Sequence, residues 1–490
     1  MNNPLYDTMF ALHAGRDTPF LLLPEGGTIT HAAFVARAAQ LAHALVGFGV
    51  QTGDRVAVQV EKCPDMLALY AACAQMGAIF LPLNTAYTGA ELRYFVEDSG
   101  AALLVGDPGR DDLPDITRIE TLSARGGTLA DAADAAPKVF ETVARDADDL
   151  AAFLYTSGTT GRSKGAMLSQ RNLISNAQTL TDLWQFTADD TLLHALPIFH
   201  THGLFVATNV MLIAGGPMVF MPRLDVDQLI DWMPRATALM GVPTFYTRLL
   251  DDARLDRERV ANMRLFISGS APLLAETHRA FEARTGHRIL ERYGMTETNM
   301  NTSNPYDGDR RAGTVGLPLP DVELRVCDAA GTELSRGETG TVEVRGPNVF
   351  QGYWNMPEKT AEELRQNGFF ITGDLGAQDD EGYVTIVGRG KDLIISGGYN
   401  IYPKEIETVL DAQPGVLESA VIGVPDADLG EVPLAVLVAS GDLDMAALRG
   451  AVEGALARFK QPRRYVVVDA LPRNTMGKVQ KVALRAEYGA

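Results

Sequence analysis

The sequence is poor in cysteine, which argues against a disulfide-stabilised fold. Only 3 of its 490 residues are cysteines. Cys63, Cys73 and Cys327 lack the short spacings of metal-binding motifs. A small, odd number of cysteines is typical of a reducing compartment, where a thiol behaves as a small buried apolar side chain. We therefore expect a cytoplasmic protein with three buried thiols.

Positive charge is also scarce. The chain has 43 lysines and arginines against 62 aspartates and glutamates, which gives a formal net charge of −19. This balance argues against nonspecific binding to nucleic acid or to an anionic membrane surface. A lysine or arginine beside a candidate site is correspondingly more informative.

Long hydrophobic runs are missing as well. The longest, residues 66–83, is interrupted by Gln75, Gly77 and Pro82, and it predicts a core helix that leads into a strand. The first eleven residues lack the basic and apolar regions of a secretory signal. We expect no membrane association.

Helix-like and strand-like segments alternate through the first part of the chain, which predicts an α/β fold with a mostly parallel sheet. The helix-like segments are residues 28–47, 64–75, 90–98 and 172–183. The strand-like segments are residues 55–60, 78–83, 102–105, 150–155, 191–196, 238–242 and 264–267. Residues 106–149 have a weak pattern and are expected to form a surface connection.

The pattern changes near residue 341, where segments 341–345 and 382–387 alternate like antiparallel strands. Further helices are predicted at 403–411 and 445–459, and further strands at 419–424, 434–438 and 464–468. These segments are sufficient for a separate small α+β domain, with a boundary at residues 389–392. A chain of 490 residues with 46% hydrophobic residues is also long enough for two or more folding units.

A glycine-rich stretch, TSGTTGRSKG at residues 156–165, directly follows a strand-like run. Its glycines let the backbone approach an anion, its hydroxyls can donate to phosphate oxygens, and Lys164 adds positive charge. The Walker spacing is absent. A flexible linker is the alternative, but linkers seldom follow a buried strand directly. The stretch therefore predicts a polyphosphate site.

Three further motifs could complete a nucleotide site. Glu297 in YGMTET, residues 293–298, is suited to Mg²⁺, although a surface turn is the alternative. Asp374 and Arg389, each beside a glycine, could meet ribose hydroxyls, which is weak evidence alone. Lys478 ends the polar stretch PRNTMGK, where a solvated lysine is the ordinary interpretation.

These motifs, in this order, resemble those of the AMP-forming acyl-CoA synthetases, the superfamily that also contains luciferases and nonribosomal adenylation domains. The resemblance covers roughly the whole chain. It implies a large N-terminal domain of packed αβ subdomains with mostly parallel sheets, residues 1–390, and a small mobile α+β domain, residues 391–490. It also implies ATP, Mg²⁺ and CoA as the small molecules bound.

The resemblance assigns roles residue by residue. The phosphate-binding residues would be Thr156, Ser157, Gly158, Thr159, Thr160, Gly161 and Lys164. The remaining ATP-binding residues would be Ser270, Ala271 and Tyr293 at adenine, Asp374 and Arg389 at ribose, and Thr296 at phosphate. Glu297 and Thr160 would hold Mg²⁺, and Gly397 and Gly398 would line the pantetheine tunnel. Lys478 would bridge carboxylate and α-phosphate, which makes Lys478, Lys164, Glu297 and Thr296 the expected catalytic residues.

Two reaction steps follow from that resemblance. Attack of a carboxylate on the α-phosphate brings two anions together, so positive charge from Lys478 and Mg²⁺ is needed where charge builds up. The thiol must then reach the acyl carbon, and rotation of the small domain about Lys391 would clear its path. Acetylation of Lys478 by a lysine acetyltransferase would remove its charge and should block only the first step.

Arg292, directly before the YGMTET motif, bears on the acid substrate. An arginine beside an acyl pocket suits a second carboxylate, which a guanidinium binds bidentately. The string ERYGMTET with PIFHTHG at residues 197–203 resembles the malonyl-CoA synthetases in particular. The substrate contacts would be Arg292, His200 and Ser270, with malonate as the acid and methylmalonate as a secondary substrate.

Several alternatives remain open at this stage. Arg292 could point away and pair with Glu291 or another acid, and His202 could be structural. The basic cluster Arg458, Lys460, Arg463 and Arg464 could meet CoA phosphates or be a solvated face. The enzyme could be another acyl-CoA synthetase or could load a carrier protein, although no carrier domain follows the lysine motif. A nucleotide-binding scaffold is disfavoured because all the expected catalytic groups are present.

Overall fold

The computed structural model describes residues 2–115, 118–156, 163–396, 399–426, 429–474 and 477–489. Its α-helices are α1 (Pro4–Met9), α2 (His31–Gly47), α3 (Pro64–Met76), α4 (Gly89–Ser99), α5 (Thr128–Asp134), α6 (Gln170–Leu183), α7 (Asn209–Ala214), α8 (Val226–Trp232), α9 (Pro243–Leu250), α10 (Ala275–Thr285), α11 (Pro357–Glu363), α12 (Pro403–Asp411), α13 (Met445–Ala455) and α14 (Lys481–Tyr488). A π-helix, His202–Thr208, runs directly into α7. Short 3₁₀ turns occur at Ala11–His13, Met233–Arg235, Gly390–Asp392 and Arg458–Lys460.

The strands fall into four sheets. In chain order they are β1 (Pro19–Leu22), β2 (Thr28–Thr30), β3 (Arg55–Gln59), β4 (Ile79–Pro82), β5 (Leu103–Gly106), β6 (Arg118–Thr121), β7 (Leu150–Thr156), β8 (Lys164–Ser169), β9 (Leu192–His194), β10 (Met218–Phe220), β11 (Ala238–Gly241), β12 (Leu265–Ser268), β13 (Leu290–Met295), β14 (Asn299–Ser303), β15 (Leu317–Pro318), β16 (Glu323–Cys327), β17 (Gly340–Arg345), β18 (Phe370–Gln378), β19 (Val384–Arg389), β20 (Ile394–Ser396), β21 (Tyr399–Ile401), β22 (Val416–Asp426), β23 (Gly430–Ala439) and β24 (Arg464–Val468).

Two large sheets form the first part of the chain. The six-stranded sheet has the order β6-β5-β3-β4-β7-β8, and the nine-stranded sheet has the order β15-β14-β13-β12-β11-β9-β10-β1-β2. Both are parallel through their middles and antiparallel at some edges. The expected α/β fold is therefore confirmed.

Helix α3 packs against the six-stranded sheet and the π-helix. Its residues 66–76 are all buried, as the mostly apolar sequence predicts. The ring of Tyr70 lies 5.5 Å from that of Phe80 in β4 and 5.7 Å from that of Phe205 in the π-helix. Buried side chains of both sheets belong to one hydrophobic core. The three cysteines are free and buried, as expected.

Some element boundaries differ from those expected. The predicted helix 28–47 begins at His31, because residues 28–30 pair with β1 and Thr30 caps the helix by accepting from the Ala33 N–H at 3.2 Å. The weak segment 106–149 contains β6 and α5, which are too short for periodicity to detect. Helix α13 ends at Ala455 rather than near residue 459.

The two smaller sheets follow. An antiparallel four-stranded sheet has the order β16-β17-β18-β19 and confirms the predicted change of pattern. A five-stranded sheet has the order β21-β20-β23-β22, with β24 on β23. Helices α12 and α13 pack on one face of this sheet and α14 packs on the other. The turn Gly390–Asp392 joins the two sheets, at the place where the sequence predicts a boundary and a hinge at Lys391. Across the described ranges, no helix combines the length and apolar character needed to cross a bilayer.

The four-stranded sheet suggests a stability test at Glu343. This carboxylate is 1% exposed and accepts from Arg325 Nη2 at 2.7 Å and from Arg365 Nε at 3.0 Å. Glu343→Ala should lower the free energy of unfolding by about 3 kcal/mol, because two guanidinium groups lose their buried partner. Urea denaturation would measure this change in the free energy of unfolding. Glu323→Ala, which removes a solvent-exposed pair with Arg345, should cost at most about 1 kcal/mol, and equal costs would contradict the interpretation.

Candidate active site

The candidate site lies at one edge of the nine-stranded sheet. Strands β9, β11, β12 and β13 are adjacent and parallel, so their carboxyl ends meet at this edge. Ligands of open α/β sheets bind at such edges. The segments that follow these strands carry most of the residues predicted from the sequence.

Arg292 lies on β13 and is only 3% exposed. Its Nε and Nη2 atoms have no hydrogen-bond partner among the described residues. Burial lowers the pKa of Arg292 to about 9. The adjacent Glu291 accepts from the Leu273 N–H at 3.2 Å, and neighbouring residues of a strand face opposite sides. The alternative in which Arg292 pairs with Glu291 is therefore wrong.

Two residues that the sequence analysis missed surround the Arg292 guanidinium. A Cβ atom on Gly269 would lie 2.5 Å from Arg292 Cζ, so only glycine leaves space for the guanidinium there. Tyr246 acts electrostatically on Arg292 and raises its pKa, although burial lowers that pKa by more. The Tyr246 hydroxyl donates to the Ile267 carbonyl at 2.5 Å. Neither residue belongs to a recognisable motif. Their role emerges only when α9, β12 and β13 are packed together.

Two histidines and a serine complete this pocket. The His202 N–H donates to His200 Nδ1 at 3.3 Å, which leaves Nε2 as the protonated nitrogen of a neutral His200. Burial, with the charges of Arg292 and Lys478, lowers the pKa of His200 to about 4. His202 Nδ1 lies 3.2 Å from Ser270 Oγ, and His202 Nε2 has no partner among the described residues. His202 therefore contacts the pocket, although its sequence allowed a purely structural role.

Tyr293, one of the predicted adenine residues, lies against the predicted ribose pair. The Tyr293 hydroxyl donates to Asp374 Oδ2 at 2.5 Å, and Arg389 Nε pairs with Asp374 Oδ1 at 2.8 Å. Asp374 and Arg389 face each other across β18 and β19 of the four-stranded sheet. The hydrogen bond from Tyr293 on β13 to Asp374 therefore links the nine-stranded sheet to the four-stranded sheet. Ser270 and Ala271 are half-buried in the segment after β12, and Ser270 has a positive φ of 71°.

The predicted phosphate loop connects the antiparallel strands β7 and β8. Residues Ser157, Gly158, Thr159, Thr160 and Gly161 lie outside the described residues, while Thr156 and Lys164 face each other at the ends of the two strands. Lys164 Nζ pairs with both carboxylate oxygens of Glu363 at 3.2 Å and lies 4.1 Å from the centre of the Tyr353 ring. A carboxylate thus neutralises the lysine expected to bind phosphate.

Glu297, the predicted metal ligand, belongs to the same network. The Tyr353 hydroxyl lies 3.0 Å from Glu297 Oε1 and 2.6 Å from Glu363 Oε2. Burial raises the pKa of Glu297. The described residues contain no group of three or more His, Cys, Asp or Glu side chains able to hold a metal ion. A single buried carboxylate fits Mg²⁺, which commonly takes one or two carboxylates and shares substrate phosphates. Thr296 is the half-buried neighbour of Glu297.

Lys478 lies between β24 and α14, in the part of the chain that contains the five-stranded sheet. Desolvation in the crevice and the charge of Arg389 lower the pKa of Lys478, although the residue as a whole is exposed. Its neighbour Gly477 lies close to the large domain, where a Cβ on Gly477 would be 3.5 Å from the Thr244 side chain. The charge of Lys478 acts on His200, and the ribose pair acts on Lys478, so all of these groups are within electrostatic range. Gly397 and Gly398 lie outside the described residues.

The basic cluster of the small domain is partly occupied. Lys460 Nζ pairs with Glu405 at 2.5 Å, and Arg464 donates to the Tyr488 carbonyl. Lys460 and Arg464 therefore already have partners in the structure. These contacts support no assignment of the cluster to CoA.

The chain matches two family models. Residues 11–354 match the model described as "AMP-binding enzyme". Residues 405–478 match the model described as "AMP-binding enzyme C-terminal domain". Together the two matched regions contain most of the candidate site, including Arg292, Glu297 and Lys478.

Similar proteins and structures agree with these matches. The malonate–CoA ligase of Arabidopsis thaliana is 33% identical over 90% of this chain and 79% of its own length. The indoleacetate–CoA ligase of Aromatoleum aromaticum is 36% identical over 93% of this chain and 92% of its own length. The ATP-bound crystal structure of MatB from Rhodopseudomonas palustris is 57% identical, covers 100% of this chain and 99% of its own, and has a TM-score of 0.97. The apo structure of the same protein has a TM-score of 0.88.

The pairing of Lys164 with Glu363 suggests a binding test. Glu363→Gln should tighten ATP binding about 3- to 10-fold, because Lys164 no longer has to leave a carboxylate before it meets a phosphate. Isothermal titration calorimetry with ATP would measure the change. Glu362→Gln is the matched control, since this neighbour pairs with Lys359 at 2.8 Å and not with Lys164. Weaker binding by Glu363→Gln, or the same gain in both variants, would contradict the interpretation.

Proposed function

This chain belongs to the AMP-binding enzyme family and is an AMP-forming acid–thiol ligase, and on that basis we propose that its acid substrate is malonate. The products would be malonyl-CoA, AMP and pyrophosphate. The observation that carries the proposal is Arg292, a buried guanidinium with two nitrogens that lack partners among the described residues.

The state of Arg292 selects a dicarboxylate. An unpaired buried charge is costly, so a ligand that brings a second carboxylate gains the whole of that compensation on binding. A guanidinium and a carboxylate can form two parallel hydrogen bonds. An apolar acyl tail would instead leave the charge unpaired. Family relatives alone do not decide which acid is the substrate, because they include ligases of malonate and of indoleacetate.

The length of the acid is the second constraint. One carboxylate must reach the α-phosphate near Lys478 while the other meets Arg292, and both groups lie close enough to His200 to lower its pKa. Malonate, with one carbon between its carboxylates, is favoured by the similarity to the malonate–CoA ligase of Arabidopsis thaliana. A methyl branch changes binding by only about 1 to 3 kcal/mol, so methylmalonate is the expected secondary substrate. His200 Nε2–H is available to donate to a substrate oxygen.

In the first step, malonate would attack the α-phosphate and release pyrophosphate. Lys478 would offset the negative charge shared by the carboxylate and the phosphate in the transition state. Lys164 would hold the outer phosphates after leaving Glu363, and the pair Asp374 and Arg389 would hold the ribose. Mg²⁺ held by Glu297 would neutralise phosphate charge.

In the second step, the CoA thiol would attack the acyl carbon and AMP would leave. The small domain, residues 391–490, would turn about Lys391 to withdraw Lys478 and open this path. Lys391 lies in a short turn between two sheets, which suits a hinge. The higher TM-score against ATP-bound than against apo MatB supports an arrangement suited to the first step.

The substrate proposal is tested with CoA-dependent AMP release across acetate, malonate, methylmalonate, succinate, octanoate and 4-coumarate. We expect strong preference for malonate, and a loss of about 100-fold or more in kcat/KM for malonate in Arg292→Ala. The loss follows from removing the charge that is proposed to meet the distal carboxylate.

Arg288→Ala is the matched control for this experiment. Arg288 lies just before β13, but it pairs at the surface with Glu282 at 2.8 Å and Asp309 at 3.1 Å. Its activity should stay close to that of the wild type. Preference for a monocarboxylate, or an Arg292→Ala enzyme that keeps malonate selectivity, would overturn the assignment. Malonate activation without free CoA as acceptor would favour the loading of a carrier protein.

The proposed role of Lys478 separates the two steps. Lys478→Gln, which imitates acetylation by removing the charge, should abolish malonate-dependent exchange between ATP and pyrophosphate. Formation of malonyl-CoA from preformed malonyl-AMP should stay near the wild-type rate and serves as the internal control. Full exchange activity in the variant, or in acetylated enzyme, would contradict the role.

A further inference from the structure

Lys62 is a buried lysine that no motif contains. It lies between β3 and α3, and it is 8% exposed. Its Nζ lies 2.8 Å from His194 Nδ1, 2.7 Å from the His194 carbonyl oxygen and 3.0 Å from the Leu196 carbonyl oxygen. None of these three groups is a carboxylate. Burial lowers the pKa of Lys62.

The hydrogen bonds of His194 identify the protonation state. His194 Nε2 lies 2.9 Å from the Gly203 carbonyl oxygen, which can only accept, so Nε2 carries the proton. Nδ1 of the neutral ring is then an acceptor. Lys62 therefore faces three acceptors, and an ammonium group supplies the three donors they need. The Phe220 ring, with its centre 4.4 Å from Nζ, adds a favourable cation–π contact.

These contacts close the base of one loop. Residues 195–201 connect β9 to the π-helix and include His200. Lys62 holds the first end through the carbonyls of His194 and Leu196, and the His194 ring holds the other end through Gly203. A Cβ on Gly203 would lie 2.1 Å from the Pro197 carbonyl oxygen, so the ends of the loop are in direct backbone contact.

We propose that Lys62 is a positioning residue for the acid substrate. Lys62 acts through His194 to hold the loop of residues 195–201, which presents His200, and the adjoining His202, to the Arg292 pocket. This inference rests on the proposed function of that pocket. Among the described residues, the contacts of Lys62 include neither Lys164 nor the ribose pair. Its loss should therefore impair use of the acid and leave nucleotide binding intact.

The test compares Lys62→Met with Lys138→Met, an exposed control. We expect the KM for malonate to rise about 10- to 100-fold in Lys62→Met, because small misplacements of binding groups are costly, while the Kd for ATP stays within about twofold. Hydrogen exchange, followed by mass spectrometry, should accelerate at residues 195–203 and not at β12. Phe220→Leu, a milder change beneath the ammonium, should produce a smaller rise in the KM for malonate and a smaller increase in hydrogen exchange at residues 195–203.

A double-mutant cycle with His200→Ala distinguishes positioning from general destabilisation. If Lys62 acts through the loop, adding Lys62→Met to His200→Ala should raise the KM for malonate little further. Additive effects, an equal loss of ATP affinity, or unchanged exchange at residues 195–203 would overturn the proposal. Failure of the malonate assignment would show separately, as absent malonate preference in the wild type, while the exchange experiment would still report on Lys62.

Discussion

The cost of burying positive charge without a counter-ion shapes this active site. In a chain of net charge −19, Arg292 nevertheless lies in the interior, and two of its nitrogens find no partner in the described part of the chain. The space for it comes from Gly269, and the neighbouring His200 is kept neutral by burial and by nearby cations. Such an arrangement is unfavourable in the empty protein, and a bound anion relieves it. Under the proposed function, acid specificity would be built into the folded state before substrate arrives.

The nucleotide side of the site handles its cations differently. Lys164 is paired with Glu363, and Arg389 is paired with Asp374. A charge that already has a partner gains less from a new anion than an unpaired one, because the first contact must be given up. In the proposed reaction, ATP would compensate for this exchange because it offers several phosphates. A small dicarboxylic acid would offer one distal carboxylate, and its recognition would depend on a guanidinium that has no carboxylate partner beforehand.

In the proposed reaction, adenylation and thiol attack need different arrangements of the same site. The division of the fold into two parts would permit both arrangements. The acid pocket and the ribose pair belong to the large sheets and the four-stranded sheet, which Tyr293 connects through Asp374. Lys478 belongs to the region beyond the turn Gly390–Asp392. A lysine carried on a separate body can be present for adenylation and absent for thiol attack. Lys62 and His194 act on the stationary part of the site by closing the loop that bears His200.

Local sequence determined the class of fold, the glycine-rich loop, the YGMTET motif and the candidate role of Arg292, because periodicity and short motifs depend on neighbouring residues. It did not reveal the short elements β6 and α5, or the residues whose importance arises from packing. Gly269, Tyr246, Tyr353, Glu363 and Lys62 come from separate segments and have no distinctive local pattern. Whether Arg292 pairs with Glu291 was likewise open in the sequence. Only the pleat of β13 and its neighbours places the two side chains on opposite faces and leaves the guanidinium unpaired.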